Sequence, residues 1–137
     1  MDGQTLTKEH EGYREDIYLD SLGYPTTGYG NCLDYTHRYS SVREWHESQF
    51  RKHYKEAQDL CRSLNLQLDP IREAAVVDLC YNLGRKFLKF NQTIEALRKG
   101  QFTLASDCLK NSIWYTQVGR RGRRICRIIE TGDWGND

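Results

Sequence analysis

The sequence predicts a mostly helical α+β protein: a small N-terminal β-hairpin lobe and a helical C-terminal lobe, joined by one long helix. Three observations carry this. Near the start, the β-prone run Ile17-Tyr18-Leu19 and the tyrosines Tyr24 and Tyr29 flank a Ser21-Leu22-Gly23 turn. Further on, Ser41-Val42-Arg43-Glu44 forms a capping box at the head of a long helical pattern. Lastly, Asp69-Pro70 is a strong helix start, and the run Ile71 to Leu83 behind it is apolar on most sides. A helix of that kind is buried at the centre of a cluster.

The elements follow in order. Gly3 to Glu11 reads as a short helix, with Gly12 as an αL stop. The hairpin comes next, closed by Gly28 and Gly30, and Asn31 to Ser40 is expected to be loop. Along the spine helix, Trp45, Gln49, Tyr54, Ala57, Cys61 and Leu64 recur at nearly helical spacing and are assigned to the core, with His53 on the exposed side. In the central helix Asp78 and Asn82 are the polar exceptions, four apart and on one face. Gly84 ends it. Shorter helices are expected over Gln92–Lys99, stopped by Gly100, then Phe102–Asn111 and Val118–Thr131. With no internal repeat or linker, residues 1–137 form one domain. Its small lobe covers about 12–40, its spine 41–64, and its helical lobe 69–137 together with the N-terminal helix.

Composition narrows the class. The chain has 137 residues, 38% hydrophobic and 28% charged, enough for a packed core and unlike a disordered chain. No apolar run approaches the roughly 20 residues that span a bilayer. The opening Met1-Asp2-Gly3-Gln4-Thr5 lacks the basic and apolar regions of a signal peptide. Five cysteines (Cys32, Cys61, Cys80, Cys108, Cys126) lie scattered with no CxxC, which argues against a disulfide framework and structural zinc. Cys80 and Cys126 fall in apolar helical patterns, as small buried hydrophobes. His10, His37, His46 and His53 form no metal-ligand pattern, and no metal or cofactor is expected. The net charge of +1 hides a division. Through Gly84 there are 9 Lys and Arg against 14 Asp and Glu; from Arg85 onward, 11 against 5. A basic back half fits an anionic partner, and nucleic acid and bacterial wall both qualify.

The chemistry concentrates between residues 10 and 30. Glu11 stands where the first helix stops, Asp20 ends the first strand, and Thr26 lies on the returning strand. Two acids on different elements, with a hydroxyl beside one of them, is what glycosidic hydrolysis requires: one acid protonates the leaving oxygen, and the other activates water or attacks the sugar. A general acid must stay protonated near neutral pH, through burial or a nearby negative charge. Asp20 is also a plausible turn former, and Thr26 a plausible strand residue. Thr27, its neighbour, points to the opposite face.

The pattern Glu11-(eight residues)-Asp20-(five residues)-Thr26, with Gly12, Tyr18, Gly23, Gly28 and Gly30 in register, resembles the phage-type lysozymes, or muramidases, and most of all those of the T-even phages. The likeness continues through Asn82-Leu83-Gly84, Phe90, Trp114-Tyr115 and the arginine-rich stretch to Thr131-Gly132-Asp133-Trp134. It implies a lysozyme-like two-lobed fold with the cleft beside the spine. The implied activity is hydrolysis of the β-1,4 bond between N-acetylmuramic acid and N-acetylglucosamine in peptidoglycan, with inversion, during phage-mediated lysis. Glu11 would be the acid, Asp20 the base, and Thr26 would hold the attacking water. Cys32, Tyr81, Thr93 and Cys108 match positions that touch sugar or peptide. Arg121 matches the acid's arginine partner, with Arg120 a neighbouring candidate. Asn31 replaces a histidine that mostly serves structure. The segment between Asn31 and Asp69 is shorter than in the T-even enzymes.

Such a protein would be a monomer acting on peptidoglycan, without nucleic acid or membrane insertion. It would wait in the host cytoplasm until the membrane is permeabilised. For the run from Gly119 to Arg127, a solvated basic face and a nucleic-acid surface stand beside a wall-binding cleft. For the whole chain, a lytic transglycosylase and a non-catalytic binding module stand beside the hydrolase.

Overall fold

A computed structural model describes residues 1–19, 25–28, 31–32 and 42–135, the strands and residue 42 through their backbone alone. The chain runs α1 (Gly3–Glu11), β1 (Arg14–Leu19), β2 (Pro25–Gly28), β3 (Asn31–Cys32), α2 (Val42–Ser63) and α3 (Pro70–Leu83). A 3₁₀ segment (Gly84–Lys89) follows, then α4 (Asn91–Arg98), α5 (Phe102–Lys110), α6 (Ile113–Val118) and α7 (Arg120–Thr131). The described fold is therefore mostly helical.

Helix α1 begins where the Asp2 carboxylate accepts the Thr5 amide at 2.8 Å, which satisfies one of the open donors of the first turn. Gly12 stops it with φ 67° and ψ 160°, an extended conformation with positive φ that is open essentially to glycine, rather than the αL stop expected. The three strands form one antiparallel sheet in the order β1-β2-β3. Its register places Thr26 opposite Tyr18 on one side and Cys32 on the other, with an irregularity between Arg14 and Tyr18. Asn31 and Cys32, expected in a loop, pair with β2 instead. Strands β2 and β3 touch α2.

The spine helix spans Val42–Ser63; Ser41, the expected cap, lies outside the described residues. Its inward stripe is His46, Phe50, Tyr54, Ala57, Cys61 and Leu64. This corrects the expected stripe at its start, where Trp45 and Gln49 are only half-buried. Steps of three and four residues back from Ala57 lead to Tyr54, Phe50 and His46, whereas Trp45 and Gln49 sit about 100° off that line. Phe50 is held between the rings of Tyr54 and Tyr81, each centroid 5.6 Å away. Burying it adds about 1.5–3 kcal/mol. His46 is buried because its Nδ1 meets the Tyr13 hydroxyl at 3.1 Å. His53, expected outward, is half-buried edge-on to Tyr81, and burial lowers its proton affinity.

Helix α3 is the hub, packed against α1, α2, α7 and the 3₁₀ segment. Asp69 caps it by accepting the Arg72 amide at 3.1 Å, with Pro70 in the first turn, and Ala74 through Cys80 are all buried. Arg72 then ties the start of α3 to the end of α7. Its guanidinium lies 3.8 Å from the Phe102 ring centre and donates to the Ile129 carbonyl at 2.7 Å and the Glu130 carbonyl at 3.1 Å. Those carbonyls are among the last of the helix and lack partners within it.

The helix expected over Val118–Thr131 is α7, Arg120–Thr131, and α6, just before it, was not expected. Gly119, with φ 57° and ψ −116°, breaks the run between α6 and α7. Ser112 caps α6 by accepting the Tyr115 amide at 3.3 Å. Trp114 packs in the core, its indole N–H donating to Asn82 at 2.7 Å, and Trp134 packs against the core's edge. Cys61, Cys80 and Cys126 are buried free thiols. No described helix is long and apolar enough to cross a membrane.

Candidate active site

Thr7, His10 and Glu11 stand at i, i+3 and i+4 on the face of α1 that meets α3, because side chains at those spacings share a side of a helix. Opposite them is Asp78, the one polar residue in the buried stretch Ala74–Cys80 of α3, with 0% exposure. From α7 comes Arg121. Its Nη1 donates to Glu11 Oε1 at 3.0 Å. Its Nε and Nη2 donate to the two oxygens of Asp78 at 3.0 and 3.1 Å. Asp78 also accepts from the Thr7 hydroxyl at 2.8 Å and lies 3.1 Å from His10 Nδ1. An ionised carboxylate only accepts, so His10 Nδ1 carries the proton of that bond.

One guanidinium thus serves two carboxylates, and their proton affinities diverge. For Glu11, burial raises the pKa and outweighs the opposing charge and hydrogen bond of Arg121. For Asp78, burial again raises it, but Arg121 together with the His10 and Arg121 hydrogen bonds prevails, and the carboxyl titrates below the usual aspartate range. Divergent affinities in neighbouring carboxyls are a recurrent mark of acid–base sites. Glu11 keeps some access to solvent (16% side-chain exposure) while Asp78 has none. Chemically, Glu11 is fitted to hold a proton and release it, and Asp78 to stay charged.

A model of the phage lysozyme family matches residues 8–127, a span containing Glu11, Asp78 and Arg121. The chain belongs to the phage lysozyme family. Over 157 aligned positions it is 22% identical to probable T4-type lysozyme 1 of Dictyostelium discoideum, covering 93% of this chain and 92% of that one. It is 30% identical over 66 residues to probable T4-type lysozyme 2 of the same organism, covering 47% and 39%. It is also 23% identical over 158 positions to the pre-baseplate central spike protein Gp5 of Enterobacteria phage T4, covering 93% of this chain and 27% of Gp5. Both long alignments have more positions than this lysozyme-family chain has residues, so those relatives carry extra residues inside the matched region.

The other site residues read from the sequence are spread more widely. Asp20 lies outside the described residues. Thr26 is central in β2 and Cys32 ends β3, paired across the sheet. Tyr81, one turn beyond Asp78, is half-buried with its ring against Phe50 and its hydroxyl buried without a hydrogen-bond partner. Burial and then the Glu11 charge push that hydroxyl's pKa up. Thr93, on α4, is buried at 2% exposure. Cys108 is half-exposed on the wall of a hollow of about 660 Å³ between α4 and α5, which Gln92, Glu95, Lys99 and Leu104 also line.

The basic run divides as well. Arg121 turns inward, Arg124 pairs with Glu9 at 3.0 Å, and Arg120 and Arg123 are exposed. Sequence reasoning placed the Glu11–Arg121 pair but passed over Asp78 and His10. The signal was present: a lone acid in an otherwise apolar helix must find a cation or stay uncharged. Among the described residues, no group of three or more His, Cys, Asp or Glu side chains gathers to hold a metal.

Proposed function

We propose that this protein is a peptidoglycan hydrolase that cleaves the β-1,4 bond between N-acetylmuramic acid and N-acetylglucosamine. One observation carries the reading: the Glu11 carboxyl, largely withdrawn from solvent at the end of α1, is held through one oxygen by Arg121 at 3.0 Å, and burial favours its protonated form. Family membership supports it. In the proposed mechanism the Glu11 carboxyl delivers its proton to the bridging oxygen as the glycosidic bond breaks. Asp20 takes a proton from a water that attacks the opposite face of the sugar, and Thr26 holds that water, so the product has inverted configuration. Arg121 fixes the Glu11 carboxyl through one oxygen and leaves the other for the proton.

The proposed architecture has the sheet as a small lobe and α2 as the spine beside the cleft, with residues 1–137 as one catalytic domain in phage-mediated lysis. Cys32, Tyr81, Thr93 and Cys108 stand as candidate contacts for sugar or peptide. The deciding experiment compares wild type with Glu11→Gln and Asp20→Asn on purified sacculi, with mass spectrometry of the released muropeptides. Near-complete loss in the first variant, a large loss in the second, and hydrated reducing ends support hydrolysis. Anhydro products, lighter by one water, would replace it with transglycosylation. Undiminished activity in Glu11→Gln would remove the proposal.

A further inference from the structure

Between α1, α3 and α7 the buried charges do not balance around Glu11 alone. Glu11 from α1 and Asp78 from α3 are two carboxylates facing one guanidinium, Arg121 from α7, and His10 from α1 closes the far side of Asp78. Among the described residues, the Tyr81 hydroxyl, buried and unpaired, and the Tyr54 hydroxyl, whose proton affinity burial and Asp78 raise, also face the site. Arg124 and Glu9 form their own pair nearer the surface. Of the three Arg121 hydrogen bonds to carboxylates, two go to Asp78 through a side-on fork and one goes to Glu11. A forked pair of this kind is strong and geometrically specific. Asp78 itself is pinned, each oxygen accepting from two elements: Oδ1 from Thr7 and Arg121, Oδ2 from His10 and Arg121.

We propose that Asp78 is a positioning residue for the general acid: it takes up most of the Arg121 charge and fixes the guanidinium so that Nη1 alone reaches Glu11. The physical need is plain. A lone arginine at 3.0 Å would hold Glu11 ionised, since an opposite charge this close lowers a carboxyl pKa by about 1–3 units. An ionised Glu11 has no proton to donate. With Asp78 in place Arg121 orients the acid, while its attraction for the ionised form is offset by a second anion. Burial then prevails in setting the Glu11 proton affinity. This deepens the hydrolase reading and rests on Glu11 being its acid.

The test reads the Glu11 carboxyl directly, by NMR titration, beside the pH profile of sacculus hydrolysis. In Asp78→Asn, both the Glu11 titration and the basic limb of the profile are expected to move down by about 1–2 pH units. In Arg121→Gln, the Glu11 titration is expected to move up. Asp78→Asn/Arg121→Gln, which buries neither charge and guards against loss of folding in either single variant, should titrate above Asp78→Asn. An unmoved Glu11 titration across folded variants would overturn the proposal and leave the hydrolase reading intact. Full activity in Glu11→Gln would overturn the hydrolase reading, and this proposal with it.

Discussion

Replacing Arg121 with methionine removes the cation shared by Glu11 and Asp78 while keeping the length of the side chain. Asp78 would then be a carboxylate of 0% exposure, held by the Thr7 hydroxyl and His10 alone. Removing one partner of a buried ion pair costs about 3–5 kcal/mol, because the stranded charge has lost its solvation without compensation. Domain stabilities are about 5–15 kcal/mol, so the loss is a large share, equivalent to roughly 10–20 °C in Tm. The deficit has a definite pH signature. In the wild type the Asp78 pKa lies below its unfolded value, so its stabilisation is present above about pH 4 and is lost as pH falls through the folded pKa. In the variant the Asp78 pKa rises above its unfolded value. Its penalty is then greatest at pH 7 and shrinks on acidification as the carboxyl takes up a proton. Glu11, already raised, rises further and acts in the same direction. Urea unfolding at pH 7 and pH 4, with the denaturant slope checked for constancy, measures both terms. A deficit below about 1 kcal/mol at pH 7, or one that grows toward pH 4, would refute the shared-cation account.

Glu11→Gln should melt at or slightly above the wild type at pH 7 while losing sacculus hydrolysis. A carboxyl with a raised pKa stabilises the fold only below its unfolded value and loses that contribution as pH rises through the folded one, and glutamine avoids the penalty; differential scanning calorimetry reads it. Asp69→Ala removes both the cap on the Arg72 amide and the 3.0 Å ion pair with its guanidinium, and should cost about 1–2 kcal/mol by chemical denaturation. Gly132→Ala places a methyl 2.8 Å from Arg72 Nη1 at a position with φ 70°. It should cost more than about 1 kcal/mol, and more than Gly100→Ala, whose added methyl meets nothing within 4 Å. Among the described thiols, Cys108 should label first under native conditions, since Cys61, Cys80 and Cys126 are buried; peptide mapping after partial modification shows the order.

The helices whose ends carry local chemistry were legible in the sequence. Asp69-Pro70 and Gly84 fixed α3 to the residue, and Gly12 marked the end of α1, since caps and stops act over three or four residues. What escaped was set by longer-range packing. Phe50 and His46 displaced the expected start of the spine's buried stripe because Tyr81, Tyr54 and Tyr13 arrive to meet them. Helix α6, six residues long, is too short to show a period. Asn31 and Cys32 become a strand only because β2 offers them an edge.

At the site, resemblance picked Arg121 from its arginine-rich neighbours, a choice that periodicity could not make. Turning one arginine of that helix inward needs an acceptor on another element, and the chain's separations show why it stays hidden. Arg121 reaches Asp78 across 43 residues and Glu11 across 110, while Thr7 and His10 reach Asp78 across 71 and 68. No local window contains two members of the network from different helices. A single rule of electrostatics would still have found its centre: an aspartate amid Ala74, Ala75, Val76, Val77, Leu79 and Cys80 can remain charged only beside a cation, and five arginines cluster between Arg120 and Arg127. The acid that breaks the hydrophobic pattern thus points forward to α7, and through Arg121 back to Glu11.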